Sequence, residues 1–176
     1  MTTGFPTLLA QGDGRYAVDI DAELCVGPPG HAYLFGGLTL ALALDAAADA
    51  TGRPIVQGAL QFVSFTPLGE RLELVVNVLQ AGRTLAQVAV TGAIRGRLVL
   101  QAAVALGERP GFSDAQWIAG PQPPPPQACQ LLQDLPPQDD DARFLTGIEI
   151  RQTGLGDPAR GRTVLWLRRR DGAPLD

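Results

Sequence analysis

Gly36-Gly37-Leu38-Thr39-Leu40-Ala41-Leu42-Ala43-Leu44-Asp45-Ala46-Ala47-Ala48-Asp49-Ala50 is the stretch that decides the fold. Strong helix formers fill it, proline is absent, and almost nothing polar precedes Asp45, so residues 38–50 read as a helix buried on most sides. Thr51-Gly52-Arg53-Pro54 supplies a C-terminal glycine followed by proline, the usual stop chemistry. At about 20 Å the helix is too short to cross a bilayer, which needs roughly 20 residues, but long enough to lie across one sheet.

Working outward, the period changes from helical to two. Residues 55–65 are rich in β-branched and aromatic side chains and stop at Thr66-Pro67-Leu68-Gly69. Residues 71–79 set Leu72, Leu74, Val76 and Val78 on one face of a half-buried strand. A turn at Ala81-Gly82-Arg83 leads into residues 84–94, and Arg95-Gly96-Arg97 turns the chain into residues 98–106. Short glycine-containing connections favour antiparallel hairpins over parallel crossovers. With residues 15–20 before the helix, five strands are expected around it.

Composition places limits on function. The chain has 176 residues, 45% of them hydrophobic, and a net charge of −4, enough for one full core and part of a second. An acidic balance argues against a nucleic-acid partner, which normally leaves a basic footprint. All 14 basic residues are arginine, a bias that carries no functional weight. Two cysteines, Cys25 and Cys129, are too few for a disulfide framework or a metal cluster, and no metal is expected. The first residues lack the charged and apolar regions of a secretory signal, and neither a membrane span nor a membrane partner is expected, so cytoplasmic localisation is the expectation.

After residue 107 the composition shifts. Residues 108–142 carry Pro110, Pro121, Pro123 to Pro126, Pro136 and Pro137 and end in Asp139-Asp140-Asp141, which reads as an extended polyproline-type linker between a domain at 1–107 and a unit at 143–176. In that unit residues 144–151 and 162–168 look like two strands with a glycine-rich connection at 154–161. A lone hairpin is marginal in water, so the two strands either extend the first sheet or open a second unit.

Phe35-Gly36-Gly37 ahead of an Ala/Leu helix resembles the first repeat of the double-hotdog acyl-CoA thioesterases, the TesB-like group. Gln61-Phe62-Val63-Ser64-Phe65-Thr66-Pro67 is similar to that group's strand ending in an Arg-Pro pair. Leu79-Gln80-Ala81-Gly82-Arg83-Thr84-Leu85-Ala86-Gln87-Val88 is similar to its Gly-Arg-Ser hairpin and following strand. The resemblance covers residues 15–106, and residues 147–171 resemble the opening strands of the second repeat. It implies an α+β hotdog fold, a long helix wrapped by a curved antiparallel sheet, with a truncated second hotdog-like unit. It also implies acyl-CoA thioester hydrolysis, with coenzyme A as part of the substrate and no separate cofactor. The family's Asp, Gln and Thr come mainly from the second repeat beyond the opening strands present here, so none is carried over. Relatives carry His at the position of Gln61 and Arg at the position of Thr66.

Candidate residues follow from chemistry and resemblance together. Gly36 and Gly37 permit close backbone approach, and unpaired amides at a helix start can polarise a thioester carbonyl; equally, the pair can serve only to let a loop turn into a buried helix. Phe35 and Arg83 join them as expected substrate contacts, Arg83 as a partner for phosphate. Asp45 is a candidate general base, although single-repeat hotdog thioesterases place their acid at the position of Leu44, about 100° away on the helix. Asp45 and Asp49 also share one stripe, as expected of a solvated face. His31, the single histidine, lies in a turn-rich loop and is a candidate acid or base. Gln61 is a candidate for holding a water or a carbonyl. Cys25, flanked by Leu24 and Val26, reads as a core residue.

Three functions are therefore expected to compete: thioester hydrolysis, acyl or polyketide thioester binding without hydrolysis, and a purely structural oligomerisation role. Because an unpaired sheet edge is a liability, a homo-oligomer is expected.

Overall fold

The structure, a computed structural model, describes residues 6–108, 122–132, 140–157, 159 and 161–170. Its centre is helix α1, Gly36–Thr51, laid against a six-stranded antiparallel sheet of order β1-β2-β6-β7-β8-β5. The strands are β1 Leu9–Gly12, β2 Arg15–Asp19, β5 Ile55–Phe62, β6 Arg71–Ala81, β7 Leu85–Ile94 and β8 Arg97–Gly107. This is the α+β hotdog arrangement expected, with two adjustments.

The helix begins two residues earlier than its side chains suggest, so Gly36 and Gly37 form its first turn. It ends at Gly52, whose φ of 63° and N–H to the Ala48 carbonyl make the left-handed cap that glycine favours. The sheet has six strands rather than five. β1 is the addition, joined to β2 by a two-residue turn at Asp13 (φ 50°) and Gly14 (φ 68°). An Arg95-Gly96 turn of the same type closes the β7–β8 hairpin.

Alternation fixes which side of each strand meets the helix. Leu72 and Leu74, then Val88 and Val90, then Leu100, Ala102, Val104 and Leu106 are buried and pack with Leu38, Leu42, Ala43, Ala46 and Ala47 of α1. Each fully buried Leu or Val contributes about 1.5–3 kcal/mol relative to exposure, so this layer supplies the main cohesion of the unit. At the far end of β6, beyond the inner stripe, Val78 is exposed, and the register with β7 shifts between Val78 and Gln80. Tyr16 reaches from β2 to the helix and donates its hydroxyl to Asp49 at 2.8 Å.

Two smaller sheets accompany this unit. β3 (Cys25–Val26) and β4 (Tyr33–Leu34) form a ribbon just before α1. β9 (Gln130–Leu131), β10 (Ile148–Asp157) and β11 (Arg162–Arg169) form a three-stranded sheet of order β11-β10-β9. The tail strands therefore do not extend the six-stranded sheet. Residues 144–147, expected as strand, instead form a 3-10 turn, and β10 runs on through the expected glycine-rich connection to Asp157. Within the expected polyproline linker, residues 122–132 include a 3-10 turn at Pro126–Ala128 and the strand β9; residues 109–121 and 133–139 lie outside the described residues. Trp166 donates its indole N–H to the Pro124 carbonyl at 2.8 Å, tying this proline segment to β11. Among the described residues no helix is long and apolar enough to cross a membrane.

Candidate active site

The start of α1 is held by three strands of chain that meet in front of it. Leu34 N–H donates to the Thr66 carbonyl, Leu68 N–H to Ala32, and Phe35 N–H to Leu24. These bonds bring the β3–β4 ribbon, the segment after β5 and the helix entry into one place. Phe35 is the N-cap residue, and its side chain makes no capping hydrogen bond. Thr39 N–H is the first to find an intrahelical acceptor, the Phe35 carbonyl at 3.0 Å. The amides of Gly36, Gly37 and Leu38 precede it and have no carbonyl within the helix to bond, leaving the positive end of the helix dipole there.

Aromatic rings close on this turn because it lacks side chains. A Cβ on Gly36 would stand 3.2 Å from the Phe62 ring, and one on Gly37 would stand 2.6 Å from Cε1 of Phe35. In front of Gly36 lies an apolar groove of about 380 Å³ walled by Tyr33, Phe62, Val63 and Phe65, with Ser64 and Thr66 as its polar side chains. Tyr33 and Phe65, whose rings meet at 5.4 Å, also border a second compartment of about 640 Å³ with Pro28, His31, Pro67 and Asp141. Phe62 and Phe65 are 57% and 70% exposed, so the groove has a greasy open lip.

The residues singled out from sequence fall into two groups. Gly36 stands in the groove wall with its chain neighbours Phe35 and Gly37 beside it, and His31 stands in the adjoining compartment. Asp45, Gln61 and Arg83 do not join them. Asp45 is nine residues along the helix from Gly36, about 13 Å, on its exposed side, where partial burial holds its carboxyl above the ordinary range. Gln61 pairs across from Gln101 and points away from the helix, since its neighbours Leu60 and Phe62 take the inner side. Arg83 sits in the β6–β7 turn beside Gly82, whose carbonyl accepts from Arg53 at the C-terminal end of α1, so it lies at the opposite end of the helix from the groove.

Other site residues escaped the sequence reading. Tyr33, Phe62, Phe65 and Ser64 line the groove, and Phe144 stacks on Phe35 with centroids 4.4 Å apart. The clustering of Phe62, Val63 and Phe65 at and just past the end of β5 was the available signal. Cys25 is fully buried, and burial together with Asp21 and Asp141 pushes its thiol up to about 11, which leaves it a poor nucleophile. Among the described residues no group of three His, Cys, Asp or Glu side chains could hold a metal ion.

Comparison with known proteins now bears on this geometry. Residues 27–107 match the family described as the acyl-CoA thioesterase N-terminal domain. A candidate thioesterase from Novosphingobium aromaticivorans superposes with a TM-score of 0.92 at 59% identity, covering 98% of this chain and 68% of that one. A hot dog protein of unknown function from Alicyclobacillus acidocaldarius gives 0.79 at 21% identity over 97% of this chain and 62% of that one. The TesB protein of Mycobacterium avium subspecies paratuberculosis gives 0.70 at 20% identity over 96% and 60%. The last two establish shared fold alone. No curated protein matches the chain. The chain thus spans roughly 60–68% of the length of these three structures. With a 59%-identical thioesterase relative covered over 68% of its length and the domain match beside it, the chain belongs to the acyl-CoA thioesterase family.

Proposed function

We propose that the chain binds acyl-CoA thioesters with the thioester carbonyl at the start of α1 and hydrolyses them there. The observation that carries this reading is the uncapped first turn at Gly36, Gly37 and Leu38, whose leading residue Gly36 lines an apolar groove. Amide donors aimed at a forming oxyanion act strongly where apolar walls exclude water. Water would add to the carbonyl carbon as His31 takes its proton; the C–S bond then breaks, and the proton passes to the departing coenzyme A sulfur. Coenzyme A enters as part of the substrate, and the reaction needs no separate cofactor. The site assignment is Phe35, Gly36 and Gly37 for binding and His31 for proton transfer.

A second reading, binding without turnover, is favoured by the position of Asp45, which lies away from the groove on the exposed side of the helix. One experiment separates them: release of free coenzyme A from acyl-CoAs of graded chain length, run beside calorimetric binding. Turnover supports hydrolysis, binding without release selects the second reading, and neither binding nor release at any length refutes both. Self-association belongs to the same proposal, because β5 ends the six-stranded sheet and carries exposed Ile55, Val56 and Phe62. A single monomer boundary in sedimentation would contradict it.

A further inference from the structure

Phe35 is held at one edge and on one face. One edge of its ring crowds the bare Gly37 of the first helical turn, and a face carries Phe144, nearly parallel at an interplanar angle of 19°. Phe144 belongs to the 3-10 turn that leads into β10, so this contact joins the entry of β10 to the start of α1. The segment leading to it is anchored independently. Arg143 donates its N–H to the Ala22 carbonyl at 2.8 Å, Ala142 is buried, and Asp141 borders the compartment that holds His31. Ala22 begins the short 3-10 turn that ends at Leu24, whose carbonyl accepts the Phe35 N–H. Phe35 is thus held by a ring from one segment and a backbone bond from another, and Arg143 ties the two segments together.

We infer that Phe144 is a positioning residue for the thioester site: it pins the Phe35 ring beside the first turn of α1, and so holds the Gly36, Gly37 and Leu38 amides in place. The inference rests on the site reading above and extends it to a residue outside the hotdog sheet. An oxyanion site depends on donors that are already fixed before substrate arrives. Gly36 and Gly37 have no side chains with which to fix themselves, and the rings around them supply that constraint.

The test is site-resolved amide hydrogen exchange and acyl-CoA calorimetry on the full chain, comparing wild type with Phe144→Ala, Phe144→Leu and Phe144→Tyr. Expected is faster exchange confined to the helix start in Phe144→Ala, read at the Phe35 and Thr39 amides that are hydrogen-bonded to Leu24 and Phe35, with acyl-CoA affinity down about tenfold, both restored in Phe144→Tyr, which keeps the ring. Phe144→Leu, apolar but without a stacking plane, should fall between, and it carries the comparison alone if Phe144→Ala does not fold. Unchanged exchange at the helix start in a folded variant overturns the inference. So does a rise spread over the whole sheet, which would mark Phe144 as merely structural. If wild type binds no acyl-CoA, the functional reading fails while the exchange pattern still decides the positioning role.

Discussion

Adding one methyl group at Gly36 and at Gly37 should have opposite consequences, although the two glycines are adjacent and both helical. Neither has the positive φ that would strain an alanine, so each replacement gains about 1 kcal/mol from helix propensity and reduced freedom of the unfolded chain. What differs is the neighbour. The Gly36 methyl would meet the Phe62 ring at 3.2 Å, and Phe62 is largely exposed and free to retreat by a few tenths of an ångström. The Gly37 methyl would meet Phe35 at 2.6 Å, and Phe35 is backed by Phe144. Overpacking of this kind costs about 1–3 kcal/mol, and displacing the stacked pair removes about 0.5–1.5 kcal/mol more. Gly36→Ala should therefore be neutral or stabilising by up to about 1 kcal/mol, and Gly37→Ala destabilising by about 0.5–3.5 kcal/mol after the propensity gain. Urea denaturation at constant m value measures both. In a Phe144→Ala background the Gly37→Ala penalty should shrink, because Phe35 then has room to yield. Gly37→Ala at least as stable as Gly36→Ala would refute the packing argument.

Burial and the hydrogen bond to Asp49 push the Tyr16 hydroxyl up to about 12, so the folded state keeps its proton longer than the unfolded chain; the associated stability is full below about pH 10 and is lost as pH rises toward 12. Urea melts between those values should show this fall, and Tyr16→Phe should flatten it while costing about 1–2 kcal/mol near neutrality. Glu149 runs the other way: Arg168 and Arg151 hold its carboxyl down at about 2, so its contribution is present above pH 4.5 and disappears as pH falls toward 2. Hydrogen exchange in β10 and β11 should quicken over that window in wild type and lose the dependence in Glu149→Gln. Gln61→Ala and Arg83→Ala should leave acyl-CoA affinity unchanged by calorimetry, since one points away from the helix and the other stands at its far end. A clear loss of affinity in either would move the site.

The helix and the hairpins were legible because their determinants are local. The Ala/Leu run, Gly52 and the Arg95-Gly96 turn each specify geometry within a few residues. Strand β1 was legible too and was missed: Asp13-Gly14 is a strong hairpin signal, but the apolar run before it is only a few residues long. The face of Gln61 could also have been read from parity. Gln57, Ala59 and Gln61 alternate with Gly58, Leu60 and Phe62, so an inward Gln61 would have carried Gln57 toward the helix as well. The stack of Phe35 on Phe144 was not readable in this way. It joins residues far apart in the chain across an intervening segment, and no local period encodes such a meeting. The same holds for the bridge from Arg143 to Ala22, which immediately precedes the 3-10 turn found where a strand was expected.

Both sulfhydryl groups are withdrawn from solvent: Cys25 lies in the core and Cys129 is buried with its Sγ against the carbonyls of Pro124 and Pro125. A disulfide dye added to the native protein should therefore stay colourless, and any colour that develops with an acyl-CoA present reports liberated coenzyme A. Titration of the dye without substrate gives the same molecule a second use, as a gauge of how often its interior opens.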